Sequence, residues 1–391
     1  MLRSLYSGIS GLQSQQTMLD VTANNIANVN TTGFKSSSVQ FQDALSQQLR
    51  GATGPTANRG GTDGAQVGLG VRVAGVAKNL TEGAAQTTGS QYDMMINGDG
   101  YFVVNNSGTT QYTRAGSFHL DSAGNLTTAD GNIVQGWAAQ NGQVNTGTAP
   151  ENLRIPLSQM SEPQRTTGAT TTGNLPSDAP TGTTLERDIT VYDAAGATSR
   201  LTLTFTKTAA GWNAATTDGS GATAAVPLTF TNGKITAPTT LTSSSGVVAD
   251  LSQVTSYAGS TTVGIKTQNG SAAGSLQSFT VNADGTLVGT FSNGRQEPIG
   301  QVAVATFANP NGLEATGNSN FVVSTNSGVA QYGTAGEAGY GSITSGALEM
   351  SNVDLSQEFT NLIIAQRAFQ ANARVITASD QVLQELTNLK Q

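Results

Sequence analysis

The two ends of the chain follow one hydrophobic period and the middle follows another. At the N-terminus, Leu2, Leu5, Ile9, Leu12, Leu19 and Ile26 succeed one another on a single three-four seam, with Gln16 and Ala23 filling the remaining places. Apolar residues at that spacing line one helix face, and about three and a half heptads of them make a coiled-coil seam. The pattern predicts a helix over residues 2–30, about 43 Å long at ~1.5 Å per residue. The far end mirrors it. Leu355, Phe359, Leu362, Phe369, Ala373, Ile376 and Leu383 form a second seam, interrupted by Gln366 and Asp380. Val375, Val382, Leu386 and Leu389 widen its apolar face. One helix is expected over residues 354–390, with Asp354 or Ser351 as N-cap.

Between about residues 67 and 350, apolar and polar positions alternate and Gly, Asn and Asp recur, as in "YFVVNNSGTTQYTRAGSFHL" and "LTLTFTK". These are strand and hairpin signals. "SFHLDSAGNL" from Ser117 and "SFTVNADGTL" from Ser278 echo each other. An acid- or amide-led turn with Gly at its left-handed position accounts for the echo locally. The fold class that follows is mainly β with long helical termini and nested β domains. The expected division is a helical part (1–34 plus 352–391), a connector (35–70), an inner β domain (71–145 plus 272–351) and an inserted outer β domain (146–271). The inserted part is most biased towards Thr, Ser and Gly over 185–270.

Composition narrows the picture. Only 11% of the 391 residues are charged and 47 are Gly, as in a turn-rich extracellular β protein. The net charge is −7 and the 18 basic residues are scattered, so no nucleic-acid or anionic-membrane partner is expected. There is no Cys, which excludes disulfides and thiolate chemistry. No apolar run approaches the ~18 residues of a membrane span. The N-terminus lacks the apolar core of about 7–15 residues that a cleaved signal peptide needs.

Candidate chemistry is sparse. One His, His119, sits in an alternating strand and makes no metal site by itself. Asp93, Asp99 and Asp121 are near one another in sequence, but "NGDGYF" reads as turn chemistry rather than a catalytic pair. No phosphate-binding Gly-rich loop, dinucleotide fingerprint or EF-hand is present. No catalytic, cofactor-binding or metal residue is expected. The heptad ends are the stronger signal. An apolar helix face without a partner in its own monomer needs one elsewhere, and self-association is the reading. Asn24, Asn25, Asn28 and Asn30 crowd the end of the first helix. Asn is poor inside helices and strong at ends and turns, so the helix should stop there, with Gly33 as a left-handed turn residue. The Asn amides would be offered to neighbouring subunits.

Two signatures carry a resemblance. Ala23–Asn28 gives "ANNIAN", and Thr31–Lys35 gives "TTGFK". "GALEMSNVDLSQEFTNLIIAQRAFQANARVITASDQVLQEL" fills residues 346–386. With "YDMMINGDGYFVV" and "YTRAGSFHLDSAGNL", nearly the whole chain resembles the bacterial flagellar rod and hook family of axial proteins. "ITVYDAAGATSRLTLTFTK" and "FSNGRQEPIGQVAVATFANPNGLEATGNSNF" resemble its hook members in particular. The resemblance implies export through the flagellar type III apparatus and assembly outside the cell into a short curved tube transmitting torque. It implies contacts with the rod, the hook cap and the hook-filament junction proteins, and terminal helices forming a coiled coil in the polymer. Self-assembly would then rest on Leu5, Ile9, Leu12, Leu19, Asn24, Asn25, Ile26 and Asn28, and on Phe359, Leu362, Phe369, Ile376 and Leu383. A distal rod protein is the alternative within the family. A β-rich adhesin and a glycoside-cleaving enzyme using paired carboxylates are the alternatives outside it.

Overall fold

The computed structural model describes residues 2–55, 59–140, 142–156 and 160–388. Leu157 and Leu389, and the side chains of Leu2 and Leu386, lie outside the described residues. The chain is mainly β between two long helices, α1 (Leu2–Ala27) and α2 (Leu355–Asn388). Helix α1 ends three residues short of the expected 30. Asn28 Nδ2 donates to the Asn24 carbonyl at 2.9 Å and Thr31 Oγ1 to Asn28 Oδ1 at 3.0 Å, so the amides close the helix as their propensity predicts. Asp354, not Ser351, caps α2: its Oδ1 accepts from Ser356 N at 2.8 Å and Gln357 N at 3.2 Å.

The chain divides into two compact units. The first holds residues 1–155, 280–288 and 298–391, and the second 156–279 and 289–297. The first therefore draws strands from both halves of the sequence. Strand Tyr101–Asn106 pairs with Thr109–Thr113 and with Ile133–Gln140, and Val304–Thr306 pairs with it at Phe102. Met94–Asn97 pairs with Ser342–Ser345, and Ala85–Thr87 with Ala347–Glu349. One apolar core here is aromatic. Tyr101, Tyr112, Phe307 and Phe321 meet edge to face, the Tyr112–Phe307 rings 4.8 Å apart at 86°.

The connector over 35–70 carries strands. Ser37–Asp43 pairs with Val71–Lys78 and Ser46–Arg50 with Ala65–Gly68. The first of these hairpins packs on α1, where Val71 N donates to Ser10 Oγ at 3.3 Å.

In the second unit, strands follow the order Thr184–Tyr192, Thr198–Thr208, Gly211–Asp218, Val226–Thr231, Lys234–Ala237, Val248–Thr255, Gly168–Asn174, Gly264–Gln268. "RLTLTFTK" alternates as expected, with Leu201, Leu203 and Phe205 fully buried around Trp212. Strand Gly168–Asn174 joins this sheet by a parallel pairing with Val248–Thr255, a non-local partnership that local pattern does not reveal.

The two echoing hairpins share one turn. Asp121 N bonds Asn125 O and Gly124 N bonds Asp121 O; Asn282 and Thr286, Gly285 and Asn282 repeat both bonds. Gly124 and Gly285 have φ near +85° and +80°. The same pair of bonds recurs at Thr128–Asn132, Asp193–Ala197, Ser243–Val247 and Phe291–Arg295. The echo is shared turn chemistry, a turn followed by a left-handed Gly.

Candidate assembly site at the paired chain ends

Helices α1 and α2 pack antiparallel, since Gly8 faces Asn372 and Ile376 while Asn25 reaches Glu358. The face they share is not the large apolar seam. On α1 the buried positions are Gly8, Gly11, Ser14, Thr22 and Asn25. The expected seam residues Leu5, Leu12, Leu19 and Ile26 are only half-buried, and Ile9, Gln16 and Ala23 are exposed. On α2, Ala365 is fully buried, and Glu358, Leu362, Asn372, Ile376, Ser379 and Leu383 are partly covered. Phe359, Gln366, Phe369 and Asp380 are exposed.

The α1 contact is thus turned by one residue from the seam read in the sequence: Gly8, Gly11, Thr22 and Asn25 stand where Ile9, Leu12, Ala23 and Ile26 were expected. On α2 the covered side keeps Leu362, Ile376 and Leu383 of the expected seam and adds Glu358, Ala365, Asn372 and Ser379, while Phe359 and Phe369 are left out of it. The physical reason is backbone approach. A Cβ on Gly11 would sit 2.7 Å from Asn372 Nδ2, and one on Gly8 would sit 3.3 Å from Ile376 Cγ1. Small residues let the helices come close, and the bulky side chains are turned outward. Gln366 and Asp380, interruptions in the expected seam, lie on that outward side. Phe359 and Ile363 are both 51% exposed and Ile364 is 54% exposed.

Asn25 corrects a second expectation. It is 1% exposed. Its Nδ2 donates to the Ser37 carbonyl at 2.8 Å and to Glu358 Oε1 at 2.9 Å, and its Oδ1 accepts from Ser37 N at 3.0 Å. The amide therefore ties α1, the first strand and α2 within one chain and is not available to a neighbour. Asn24 is exposed and Asn28 is used in the closing turn.

Beside this junction lies a buried ionic cluster that the sequence reading missed. Lys35 Nζ donates to Glu349 Oε1 at 2.5 Å and to the Thr81 carbonyl at 2.7 Å. Arg114 Nη1 stands 3.4 Å from Glu349 Oε2 and Nη2 bonds the Gly98 carbonyl at 2.7 Å. Gly83 N also bonds Glu349 at 3.0 Å. Burial pulls the Lys35 ammonium below its ordinary pKa, against the hydrogen bond and charge of Glu349. Gly33, at φ +67°, opens this region: its N–H bonds the Glu349 carbonyl at 2.8 Å, and a Cβ would lie 2.5 Å from Ala115 N. In sequence, "TTGFK" reads only as a signature. The presence of Lys35 and Glu349 inside two otherwise apolar-and-turn stretches was the available signal.

The other candidates have local roles. Asp93 Oδ2 accepts from Thr88 Oγ1 at 2.6 Å, and the Asp99 carbonyl from Gly341 N at 2.6 Å. Asp121 holds its turn through Ala123 N and Asn125, and the Asn125 hydrogen bonds lower its pKa. His119 is exposed and pairs across a hairpin with Thr127. Among the described residues no cluster of His, Cys, Asp and Glu is placed to hold a metal, and no helix is long and apolar enough to cross a membrane.

Known proteins resemble the chain in both its ends and its β part. Residues 5–35 match the flagella basal body rod protein family, 95–196 the flagellar hook protein FlgE/F/G D1 domain, and 344–389 the flagellar basal body rod FlgEFG protein C-terminal family. The class so defined is the flagellar rod and hook axial proteins. The chain is 38% identical, over 442 aligned residues covering all of both chains, to the flagellar hook protein FlgE of Borreliella burgdorferi. It is 38% identical over 462 residues, again across both full chains, to that of Treponema pallidum. The flagellar basal-body rod protein FlgG of Bacillus subtilis is 33% identical over 391 residues, also end to end. The chain belongs to the flagellar hook protein FlgE family.

Proposed function

We propose that this chain is the structural subunit of the flagellar hook. Copies of it build a short curved tube outside the cell that carries torque from rod to filament while bending. The observation that supports this is the pair of terminal helices. They meet through Gly8, Gly11 and Ala365 and leave Ile9, Phe359, Ile363 and Phe369 exposed. Large apolar side chains on a helix face mark a contact still to be made, and two such faces on one antiparallel pair suit a polymer whose subunits repeat the same contact. Leu5, Leu12, Leu19, Ile26, Leu362, Ile376 and Leu383 flank that surface. Asn24 is exposed, whereas Asn25 and Asn28 act within the subunit.

The role is mechanical, not enzymatic. The Asp93 and Asp121 carboxylates are engaged in local hydrogen bonds, to Thr88 and to the Asn125 turn. The rest of the reading is export by the flagellar type III apparatus, and contacts with the rod, the hook cap and the hook-filament junction proteins. Immunogold electron microscopy of intact flagella, with antibody raised against residues 185–270, tests it. Label confined to a short curved segment between cell and filament is expected. A labelled straight polymer within the envelope would make the chain a rod protein, and label spread over the cell surface would reject both.

A further inference from the structure

A cleft of about 770 Å³ lies within the first unit, beside the end of α1. One wall carries Asn24 of α1 and Asn28 of its closing turn, with Ser37 and Lys78 of the strand pair packed on that helix. The other wall includes Ala315 and Phe321, from the hairpin of Glu314–Gly317 and Asn320–Val322 at the border of the inner sheet. Gly33, which also lines the cleft, joins the helical side firmly to the β side. Its N–H bonds the Glu349 carbonyl at 2.8 Å, and its Cα leaves no room for a side chain against Ala115. Between the strand pair and the border hairpin the link is thin. Among the described residues no hydrogen bond or ion pair joins them. Lys78 crosses instead, with Nζ 4.0 Å from the centre of the Phe321 ring. That ammonium has neither accessible surface nor a hydrogen-bond partner among the described residues, and burial lowers its pKa. The ring returns only part of what an ammonium loses on leaving water. Phe321, however, is buried in the aromatic core, so parting the two would expose apolar surface.

We propose that Lys78 and Phe321 form a clasp across this cleft that opens in the folded subunit, so that the strand pair and the helical ends swing away from the inner sheet about Gly33. The two arrangements are close in free energy because hydration of the ammonium favours one and cover of the ring favours the other. On opening, the ammonium meets water in the cleft, whose polar lining includes Asn28 and Asn320. The opening is a property of the single chain. Its use, as the compliance that a bending tube needs from each subunit, rests on the mechanical reading proposed above.

The test is acylation of the free, full chain by N-hydroxysuccinimidyl acetate, read by peptide mass spectrometry. Lys35 is the internal control: it is buried too, but Glu349 and the Thr81 carbonyl hold its ammonium. Lys78 should be acylated about tenfold faster than Lys35, because a local opening exposes it without unfolding the chain. Equal rates, set for both by global unfolding, would overturn the clasp. Lys78→Met gives a second reading. Removing the uncompensated charge should shut the cleft, and backbone amides of residues 71–78 and 318–321 should then exchange with solvent about tenfold more slowly. Lys78→Arg, which keeps the charge, should exchange as the unaltered chain does. Exchange unchanged or faster in Lys78→Met would overturn the proposal while leaving the hook reading in place. An opening clasp in a chain that never forms a curved tube would keep the device and reject the hook reading.

Discussion

Asn25 shows how a residue's type can be read correctly and its partner missed. The sequence placed a hydrogen-bonding amide at the end of a helix, and it is there. Its partners, Ser37 and Glu358, are 12 and 333 residues away, and only the fold brings the second one near. Asn25→Leu should therefore destabilise the subunit itself, by about 2–4 kcal/mol, because it strands the Ser37 N–H and carbonyl and a charged Glu358 oxygen. Urea unfolding of the free chain followed by circular dichroism measures it. A normally stable variant that fails only to polymerise would return the amide to the subunit interface. Lys35 and Glu349 were illegible for the same reason. They are 314 residues apart, and neither belongs to a motif with a known partner chemistry. A buried cluster of this kind is weak evidence for added stability, but losing Glu349 would leave both Lys35 and Arg114 buried without their counter-charge.

At the scale of elements, helix existence and strand alternation were legible and helix orientation was not. The hydrophobic period marks which face is apolar. It does not say whether that face meets the partner helix of the same chain or something outside it. Gly8 and Gly11 carried the missing information, because a small residue there leaves room for Asn372 and Ile376 of the other helix. Gly11→Leu should part the helices and lower the melting temperature of the helical signal, at a cost of about 1–3 kcal/mol for overpacking. Gly11→Ala should be neutral or stabilising, since the atom in its way is the end of the flexible Asn372 side chain and alanine gains about 1 kcal/mol in helix propensity.

The second unit offers a pH-dependent element. Asp218 accepts from Ser245 N at 2.8 Å, Ser245 Oγ at 2.7 Å and Ser220 N at 2.9 Å. Burial opposes its charge, yet these bonds and that of Ser243 hold its pKa at about 2 against an ordinary 3.8. The stability it contributes is complete above the ordinary value and is lost as pH falls from there through about 2. Thermal melts should find Asp218→Asn a few degrees less stable at pH 5, about what ~1 kcal/mol produces, with the gap narrowing as pH falls towards 2 and closing below it. Parallel curves across that range would remove Asp218 from the account.

For the whole molecule, the nesting of a β insert between helical ends was visible in composition, whereas its sheet was not. Strand Gly168–Asn174 lies before the Thr-rich stretch yet pairs with Val248–Thr255 and Gly264–Gln268. Deleting 185–270 would leave that strand without partners. A cleaner excision removes 168–268, because Thr167 N already bonds Asn269 Oδ1 at 3.0 Å and the cut ends nearly touch. If the polar surface of this insert supplies the weak contacts that let a tube curve, the shortened chain should still polymerise but into straight tubes. Electron microscopy decides it, and tubes of ordinary curvature would assign bending elsewhere.

The cluster that joins residues 33 and 35 to residue 349 has one more consequence. Neither end of the chain can complete its fold without the other. A product of interrupted synthesis would keep its first helix and the strand pair packed on it, but lack the second helix that covers Gly8 and Gly11. Glu349 and α2 arrive last, and they are also what closes the join. Closure is therefore a local report that synthesis has passed residue 349, made by the molecule before any partner inspects it.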